Sequence, residues 1–390
     1  MSPPTRYLDY AATTPLAPEA FQAMLPFFQD DFGNPSSVHQ WGQRAENALE
    51  DSRRRIAARL GCQPTEIIFT SGGSESDNLA LRGAAWGARR QRQASRLLVS
   101  PVEHPAILQT AQRLAADEGF TLDLLRVDGA GQVDPQEVRR GLRPDTAVVS
   151  VIYANNEIGT VNPVSEIAAI CRNQGVAFHT DAVQAASQLP LETGPLGMDL
   201  LSIGAHKFYG PKGVGALFVR EGTALANLQT GGGQEFGMRA GTENVPLIVG
   251  MAEALELTIR TQPIHNAHFA SLRDRLLTHI PEMIASTRIT GHAHHRLPNH
   301  ASFVFEHIDG HALIVALDLA GFACSSGSAC KTGDPRPSSV LLAIGLPPGL
   351  ALGSLRLSVG RATTSEEVDD LLSVLPETVA RLRAGHRLHP

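Results

Sequence analysis

Four cysteines in 390 residues, at positions 62, 171, 324 and 330, are too few and too scattered for a disulfide framework. Their scarcity excludes the small stapled secreted domains and predicts a reducing, cytoplasmic setting in which a thiol stays free to react. Long apolar runs are missing as well, since none approaches the roughly 18 residues that a membrane span needs. The opening Met1-Ser2-Pro3-Pro4-Thr5-Arg6 lacks the apolar segment that directs secretion. Positive charge is not in excess. A formal net charge of -6 gives no electrostatic footprint for nucleic acid or for anionic membranes. No internal repeat and no low-complexity tract breaks the chain. What remains, 43% hydrophobic and 18% charged, suits a globular protein of about two domains with ample core.

Short apolar runs alternate with amphipathic stretches from Ile67 to Val219. Strands are expected at Glu66–Thr70, Leu97–Ser100, Thr121–Val127, Ala147–Ile152, Val176–Thr180, Leu200–Ile203 and Val214–Val219. Helical patterns such as Ala106–Ala116 and Val164–Gln174 lie between them. This rhythm predicts an α/β fold, a largely parallel sheet with helices on both faces. Chemically useful residues then fall just after strand ends: Gly72 to Ser74, Glu103-His104, Asn155-Asn156, Asp181 and His206-Lys207. Open sheets bind ligands at the carboxyl ends of their strands, so five strands are expected to point at one crevice. After Gly231-Gly232-Gly233 a long helical pattern runs from Val245 to about Ile284. A smaller α+β region follows, with strands at Ser302–Phe305 and Leu355–Val359 and helices at His311–Leu319 and Ser365–Arg383. The expected division is an N-terminal arm over 1–15, a large domain over 16–260 and a small domain over 261–390.

Lys207 stands in Ser202-Ile203-Gly204-Ala205-His206-Lys207-Phe208-Tyr209-Gly210-Pro211-Lys212-Gly213, between two predicted core strands. Most lysines are solvated turn residues. Partial desolvation here would lower the pKa of this one and free its amine as a nucleophile toward a carbonyl. Thr70-Ser71-Gly72-Gly73-Ser74-Glu75-Ser76-Asp77-Asn78 runs from a strand through two glycines into a helix start. The free N–H groups there, with the Ser74 hydroxyl, form a phosphate cradle; a plain N-cap is the alternative. It is not a Walker loop, because no Gly-Lys-Ser/Thr follows. Asp181 and Gln184, three apart, share one side of a turn, where a carboxylate can keep a pyridine nitrogen protonated and an amide can meet a ring oxygen. A helix cap is the competing role for Asp181. His104 either stacks on a flat ring or is a satisfied core histidine. Taken together, the cradle, the acidic ring partner, the histidine and the strand-end lysine describe a pyridoxal 5'-phosphate site.

A second reactive element is Ser325-Ser326-Gly327-Ser328-Ala329-Cys330-Lys331-Thr332-Gly333-Asp334-Pro335. Small residues, glycine and proline predict an exposed, mobile loop, and Lys331 favours the Cys330 thiolate. Cys324 ends an apolar strand and reads as packed, as do Cys62 and Cys171 in their helical settings. Arg356 sits inside a strand pattern and needs an anion, either a substrate carboxylate or an internal ion-pair partner. The histidines at 292, 294, 295 and 300 lie in a Gly- and Pro-flanked stretch without acid or thiol, so no metal site is expected.

These residues carry a resemblance to the cysteine desulfurases of the class V aminotransferase group, of the NifS/IscS type. It runs from Tyr7-Leu8-Asp9-Tyr10-Ala11-Ala12-Thr13-Thr14-Pro15 through Phe32 to Ser37, Thr70 to Asn78, Glu103-His104 and Asn155-Asn156-Glu157-Ile158-Gly159. The lysine motif, Arg239-Ala240-Gly241-Thr242, Ser325 to Cys330 and Leu355 to Thr364 complete it. The resemblance implies a fold-type I aminotransferase architecture with a mostly parallel seven-stranded sheet. It implies that Lys207 binds the cofactor covalently and later moves the substrate α-proton. Gly73, Ser74, Ser202 and His206 would hold the phosphate, with Thr242 reaching in from the other subunit of a homodimer. Asp181 would pair with the pyridine nitrogen, Gln184 with the ring oxygen, and His104 would stack on the ring. Asn155 and Arg356 would take the carboxylate of L-cysteine, and Cys330 would receive its sulfur as a persulfide, releasing L-alanine. A sulfur-acceptor protein is implied, an iron–sulfur scaffold or a tRNA-thiolation enzyme. Relatives serving the housekeeping scaffold carry a longer tail than Leu382 to Pro390, which leaves that acceptor open. A selenocysteine lyase and a non-catalytic scaffold are the rival readings; Cys330 in its setting disfavours the first, and the retained Lys207, Asp181 and His104 the second.

Overall fold

The computed structural model describes residues 6–326 and 336–386. Its centre is a seven-stranded sheet in the spatial order Ile67–Thr70, Gly215–Val219, Leu200–Gly204, Ala177–Asp181, Thr146–Ser150, Arg96–Val99 and Thr121–Leu124. Only Gly215–Val219 runs antiparallel to its neighbours in this sheet. Alternation along the strands sends side chains to two buried faces. Ile68, Leu97, Val99, Val148, Leu200 and Leu217 pack under the helices Gly73–Arg92 and Pro105–Glu118. Phe69, Leu98, Val149, Phe178, Leu201 and Phe218 pack on the other side against Gln40–Leu60, Val164–Asn173 and the first half of Val245–Met283. A fully buried phenylalanine such as Phe178 contributes roughly 1.5–3 kcal/mol of apolar burial. Both faces are covered, as a largely parallel sheet requires.

The strand ends lie within about two residues of the sequence expectation, except Thr121–Leu124, which stops three residues short of Val127. A second, antiparallel sheet of Ser354–Ser358, His300–Phe305 and Thr287–Ile289 builds the smaller core with Leu313, Leu317, Leu371 and Leu375. Sequence reading did not foresee Thr287–Ile289, nor the short parallel pair Arg6–Tyr7 with Phe322–Ala323. The helix Val245–Met283 serves both cores: Ile248, Met251 and Leu255 enter the large one, and Phe269, Leu276 and Ile280 the small one. The N-terminal segment does the same on a smaller scale. Leu8 is buried in the small core, and Ala11 to Thr14 then cross to the turn that carries Lys207.

Candidate active site

All the parallel strands end on one side of the large sheet, and a cavity of about 520 Å³ opens there. Its walls come from Ala12-Thr13, Ser71 to Glu75, Asp77, His104, Ile152, Asn156, Asp181, Val183-Gln184, His206-Lys207 and Lys212 to Val214. The crevice expected from the strand ends is therefore formed by these segments.

The strand Leu200–Gly204 passes into a single 3₁₀ turn, Ala205–Lys207, before the chain returns antiparallel. Lys207 Nζ donates to the carbonyls of Ala11 at 2.6 Å and Ala12 at 2.7 Å. Burial, reinforced by the nearby Arg356 charge, lowers its pKa from 10.5 to about 8, against the pull of Asp9 and Asp181. His206, also desolvated and next to two lysines, is pushed down to about 4, and its Nδ1 lies 3.2 Å from the Thr13 hydroxyl.

The first turn of Gly73–Arg92 forms one end of the cavity, where N–H groups lack intrahelical partners. A Cβ on Gly73 would stand 2.5 Å from Val183 Cγ2, so the close packing of these two turns requires glycine. Ser74 is exposed at the mouth. An acid at this end would repel a phosphate, but Glu75 is neutralised: Arg239 Nε donates to it at 2.8 Å, holding its carboxyl below the usual range despite burial. Sequence reading missed that pairing.

Asp181 ends its strand with 4% exposure and accepts the Val183 N–H at 2.8 Å. Burial raises its pKa, while His104, the Val183 N–H and Lys207 each favour its charge. His104 caps the helix Pro105–Glu118, its Nδ1 accepting from the Ala106 N–H at 3.1 Å, which places the ring proton on Nε2. Burial keeps this imidazole below its ordinary pKa. Gln184 Nε2 donates to the Ala11 carbonyl at 2.7 Å and shares that acceptor with Lys207.

Four predicted residues stand elsewhere. Ser202 is fully buried: it is the register partner of Asp181, but its hydroxyl meets His179 Nε2 at 3.0 Å beneath the cavity. Asn155 is also fully buried, giving Nδ2 to Val102 O and accepting the N–H groups of Glu157 and Ile158. Its neighbour Asn156 lines the cavity instead. Thr242 is exposed and belongs to none of the cavity walls. Arg356 donates to Asp9 Oδ1 at 2.8 Å and to the Asn156 carbonyl at 2.9 Å, so its anion in this state is internal; its Nε has no hydrogen-bond partner among the described residues. Cys330 lies outside the described residues. Cys324 packs on the small core, and burial pushes its thiol up to about 12, as it does for Cys62 and Cys171. In the histidine tract, His292 Nδ1 accepts the N–H groups of His294 and His295, while His300 is fully buried with Nε2 at 3.2 Å from the Asn156 carbonyl.

Two acids beside Asp181 received no role from the sequence, although Glu103 was among the residues expected just after strand ends. Asp77 and Glu103 are 1% and 2% exposed, and each has one oxygen without a hydrogen-bond partner among the described residues. Burial and the Asp181 charge push both carboxyls well above their usual range.

Residues 6–371 match the family model described as aminotransferase class-V. The chain is 44% identical over 377 residues to "Cysteine desulfurase IscS" of Dictyoglomus turgidum, covering 97% of this chain and 95% of the relative. A protein of the same description from Methanosarcina thermophila is 44% identical over 384 residues, 98% of this chain and 94% of its own. Among solved structures, a "NIFS-like protein" superposes with a TM-score of 0.90 at 34% identity, covering 97% of this chain and all of its own. DndA from Streptomyces lividans superposes at 0.76 with 37% identity, over 90% and 99% of the two chains.

Proposed function

The chain belongs to the aminotransferase class-V family, among its pyridoxal-phosphate-dependent cysteine desulfurases, and from that premise we propose how its residues convert L-cysteine to L-alanine and pass the sulfur to Cys330. The observation that carries the reading is Lys207: an amine at the cavity wall, with its pKa brought down to about 8 and a buried carboxylate, Asp181, in the same cavity.

The residues present fit the cofactor. The glycine-lined helix start accepts a phosphate, Asp181 supplies the anion for a pyridine nitrogen, and about 520 Å³ accommodates ring and substrate together. When bound, pyridoxal phosphate supplies an electron sink that acidifies the α-proton of the substrate and weakens its C–S bond. Gly73 and Ser74 would offer backbone N–H groups to the phosphate together with His206; Ser202 would support this end from below the cavity, and Thr242 would join it from a second subunit. Gln184, now donating to Ala11, would offer its amide to the ring oxygen, and His104 would stack on the ring. Lys207 is the amine that would hold the cofactor and move the α-proton of the substrate; near neutral pH its lowered pKa keeps an appreciable fraction as the free base. Arg356 exchanges Asp9 for the substrate carboxylate, and Asn155 fixes the backbone that carries Asn156 at the wall. The Cys330 thiolate attacks the substrate sulfur. A Sγ–S bond forms as the Cβ–S bond breaks, and the electron pair stays on carbon, which takes up a proton and leaves as alanine.

A homodimer is supported by the large apolar side chains exposed between positions 21 and 41: Phe21, Phe28, Phe32, Val38 and Trp41. The acceptor is an iron–sulfur scaffold or a tRNA-thiolation enzyme, which receives the sulfur from Cys330. The three described cysteines are unpaired, in keeping with a reducing cytoplasm. No helix among the described residues is long and apolar enough to cross a membrane. The test is to incubate loaded protein with L-cysteine, measure alanine, and locate an alkylated persulfide by mass spectrometry. Alanine with a persulfide at Cys330 is expected; alanine formation undiminished in Cys330→Ala would overturn the assignment of the acceptor thiol.

A further inference from the structure

Arg361 follows the small-sheet strand Ser354–Ser358 and directs its guanidinium to a hydroxyl and a ring, with no ion pair to a carboxylate among the described residues. Its Nη2 donates to Thr258 Oγ1 at 2.8 Å, and its Cζ lies 3.9 Å from the centroid of the Tyr209 ring. The Thr258 hydroxyl has one proton, which it gives to the Phe208 carbonyl at 3.0 Å. The chain of donors therefore has a fixed direction, from Arg361 through Thr258 to the residue after Lys207. Tyr209, the next one along, is held at φ +66°, a left-handed backbone that a tyrosine rarely adopts. Such a conformation persists only where its surroundings over-determine it. Here they do: the Tyr209 N–H donates to Thr14 Oγ1 at 2.8 Å, its carbonyl accepts from Ala17 N at 2.9 Å, and its hydroxyl accepts the Arg361 N–H at 3.0 Å.

We propose that Arg361 is a positioning residue for Lys207, fixing the lysine turn from the small sheet through Thr258 and the Tyr209 ring. The turn is anchored from three directions: the N-terminal segment at Thr14 and Ala17, the long helix at Thr258, and the small sheet at Arg361. The first two anchors come from elements that also pack in the large core, whereas Arg361 ties the turn to the segment that follows the strand carrying Arg356. The residue that grips Asp9 and the residue that steadies the lysine turn are thus five positions apart on one chain segment. Removing the guanidinium leaves the Tyr209 ring uncovered and the Thr258 hydroxyl free to rotate off Phe208. The Lys207 amine then loses its alignment without losing any direct contact.

The proposal rests on the reading of Lys207 as the cofactor lysine. The test uses the loaded enzyme and its variants Arg361→Met, which keeps the apolar stem, and Thr258→Val, which keeps the shape. The pH titration of the visible cofactor band is followed together with kcat and KM for L-cysteine. Each variant is expected to lower kcat on the order of ten- to hundredfold, as small misplacements of a reacting group do, with KM within about twofold. Each is also expected to move the pH midpoint of the band. The double variant should be no worse than the weaker single one, since both cut one chain of contacts. A lowered melting temperature with wild-type kcat and wild-type titration would reduce Arg361 to a structural residue and overturn the proposal, as would losses that multiply in the double variant. If the wild-type band does not depend on Lys207, as Lys207→Ala would reveal, the functional reading falls and the proposal with it. A Lys207-dependent band that ignores both Arg361→Met and Thr258→Val sinks the proposal alone.

Discussion

Replacing Lys207 by methionine should stabilise the cofactor-free protein at neutral pH. Folding takes this amine from 10.5 to about 8, mainly because burial strips its water and because Arg356 stands near. A fall of about 2.5 corresponds to a penalty of about 3 kcal/mol for carrying the ammonium in the folded state. Methionine removes that penalty but also removes the hydrogen bonds to Ala11 and Ala12, each worth about 1 kcal/mol. Gln184 still serves the Ala11 carbonyl, so the net gain should be about 1–2 kcal/mol. The pH dependence follows from the direction of the shift. Below about pH 8 both the folded and unfolded chains carry the ammonium, and the full penalty is present. Between about 8 and 10.5 the folded protein gives up its proton first, so wild-type stability rises relative to the variant; above 10.5 both states are neutral and the penalty is gone. Urea midpoints of stripped wild-type and Lys207→Met proteins at pH 7 and pH 10 measure this directly. An advantage equal at both pH values, or a variant less stable at pH 7, would refute the reasoning.

Arg53 and Glu235, with side chains 3% and 1% exposed and bonds of 2.8 and 2.9 Å, form a buried bidentate pair. Arg53→Met should cost about 3–5 kcal/mol by stranding the carboxylate, whereas breaking the exposed Arg54–Asp51 pair should cost less than about 1 kcal/mol, both read from urea midpoints. Gly360→Ala would put a methyl 2.1 Å from the Tyr10 ring, displacing the N-terminal segment whose carbonyls hold Lys207. Cofactor affinity should fall at least about tenfold in equilibrium titration, and unchanged affinity would show that the ring yields freely. Asp77→Asn should leave the pH titration of the cofactor band in place, because it exchanges one neutral group for another, while Asp181→Asn should move it; a displaced titration in Asp77→Asn would show that Asp77 carries charge.

Much of the fold was legible because both sheet faces are buried, so each strand appears as a short apolar run closed by a turn residue. The seven runs lie on the seven strands of the large sheet. The unforeseen strands, Arg6–Tyr7, Thr287–Ile289 and Phe322–Ala323, are two or three residues long, too short to produce a period. In the site, Lys207 was conspicuous for its glycine-rich turn, but another signal went unread: the chain has only three lysines, Lys207, Lys212 and Lys331. Side-chain direction was harder to see. Ser202 and Asp181 are register partners on one face, yet the two-residue difference in how far each lies from its strand end puts one under the cavity and the other in its wall. Asn155 and Asn156 are adjacent and chemically identical, and only the folded backbone decides which amide is used internally.

The acids Asp77 and Glu103 show what charge balance adds to motif reading. In sequence, an aspartate in the first turns of a helix looks like a solvated partner of the helix dipole, and Glu103 stands out only as a polar residue just after a strand end. In the fold, Asp77, Glu103 and Asp181 are buried within electrostatic reach of one another, and Lys207 and the largely neutral His104 are the basic groups acting on Asp181. Three carboxylates in so little water cannot all be ionised. Asp181 has the Val183 N–H, His104 and Lys207 to favour its charge; Asp77 has the Ser202 hydroxyl, and Glu103 has the Ile152 N–H. The negative charge therefore settles on Asp181, and the other two stand as neutral acids that would raise the cost of any second anion. The row Ser150, His179 and Ser202, linked at 2.9 and 3.0 Å under the helix that carries Asp77, holds this arrangement from below. One fixed anion is thus built at the cavity wall by surrounding a single well-bonded carboxylate, Asp181, with acids whose burial keeps them protonated.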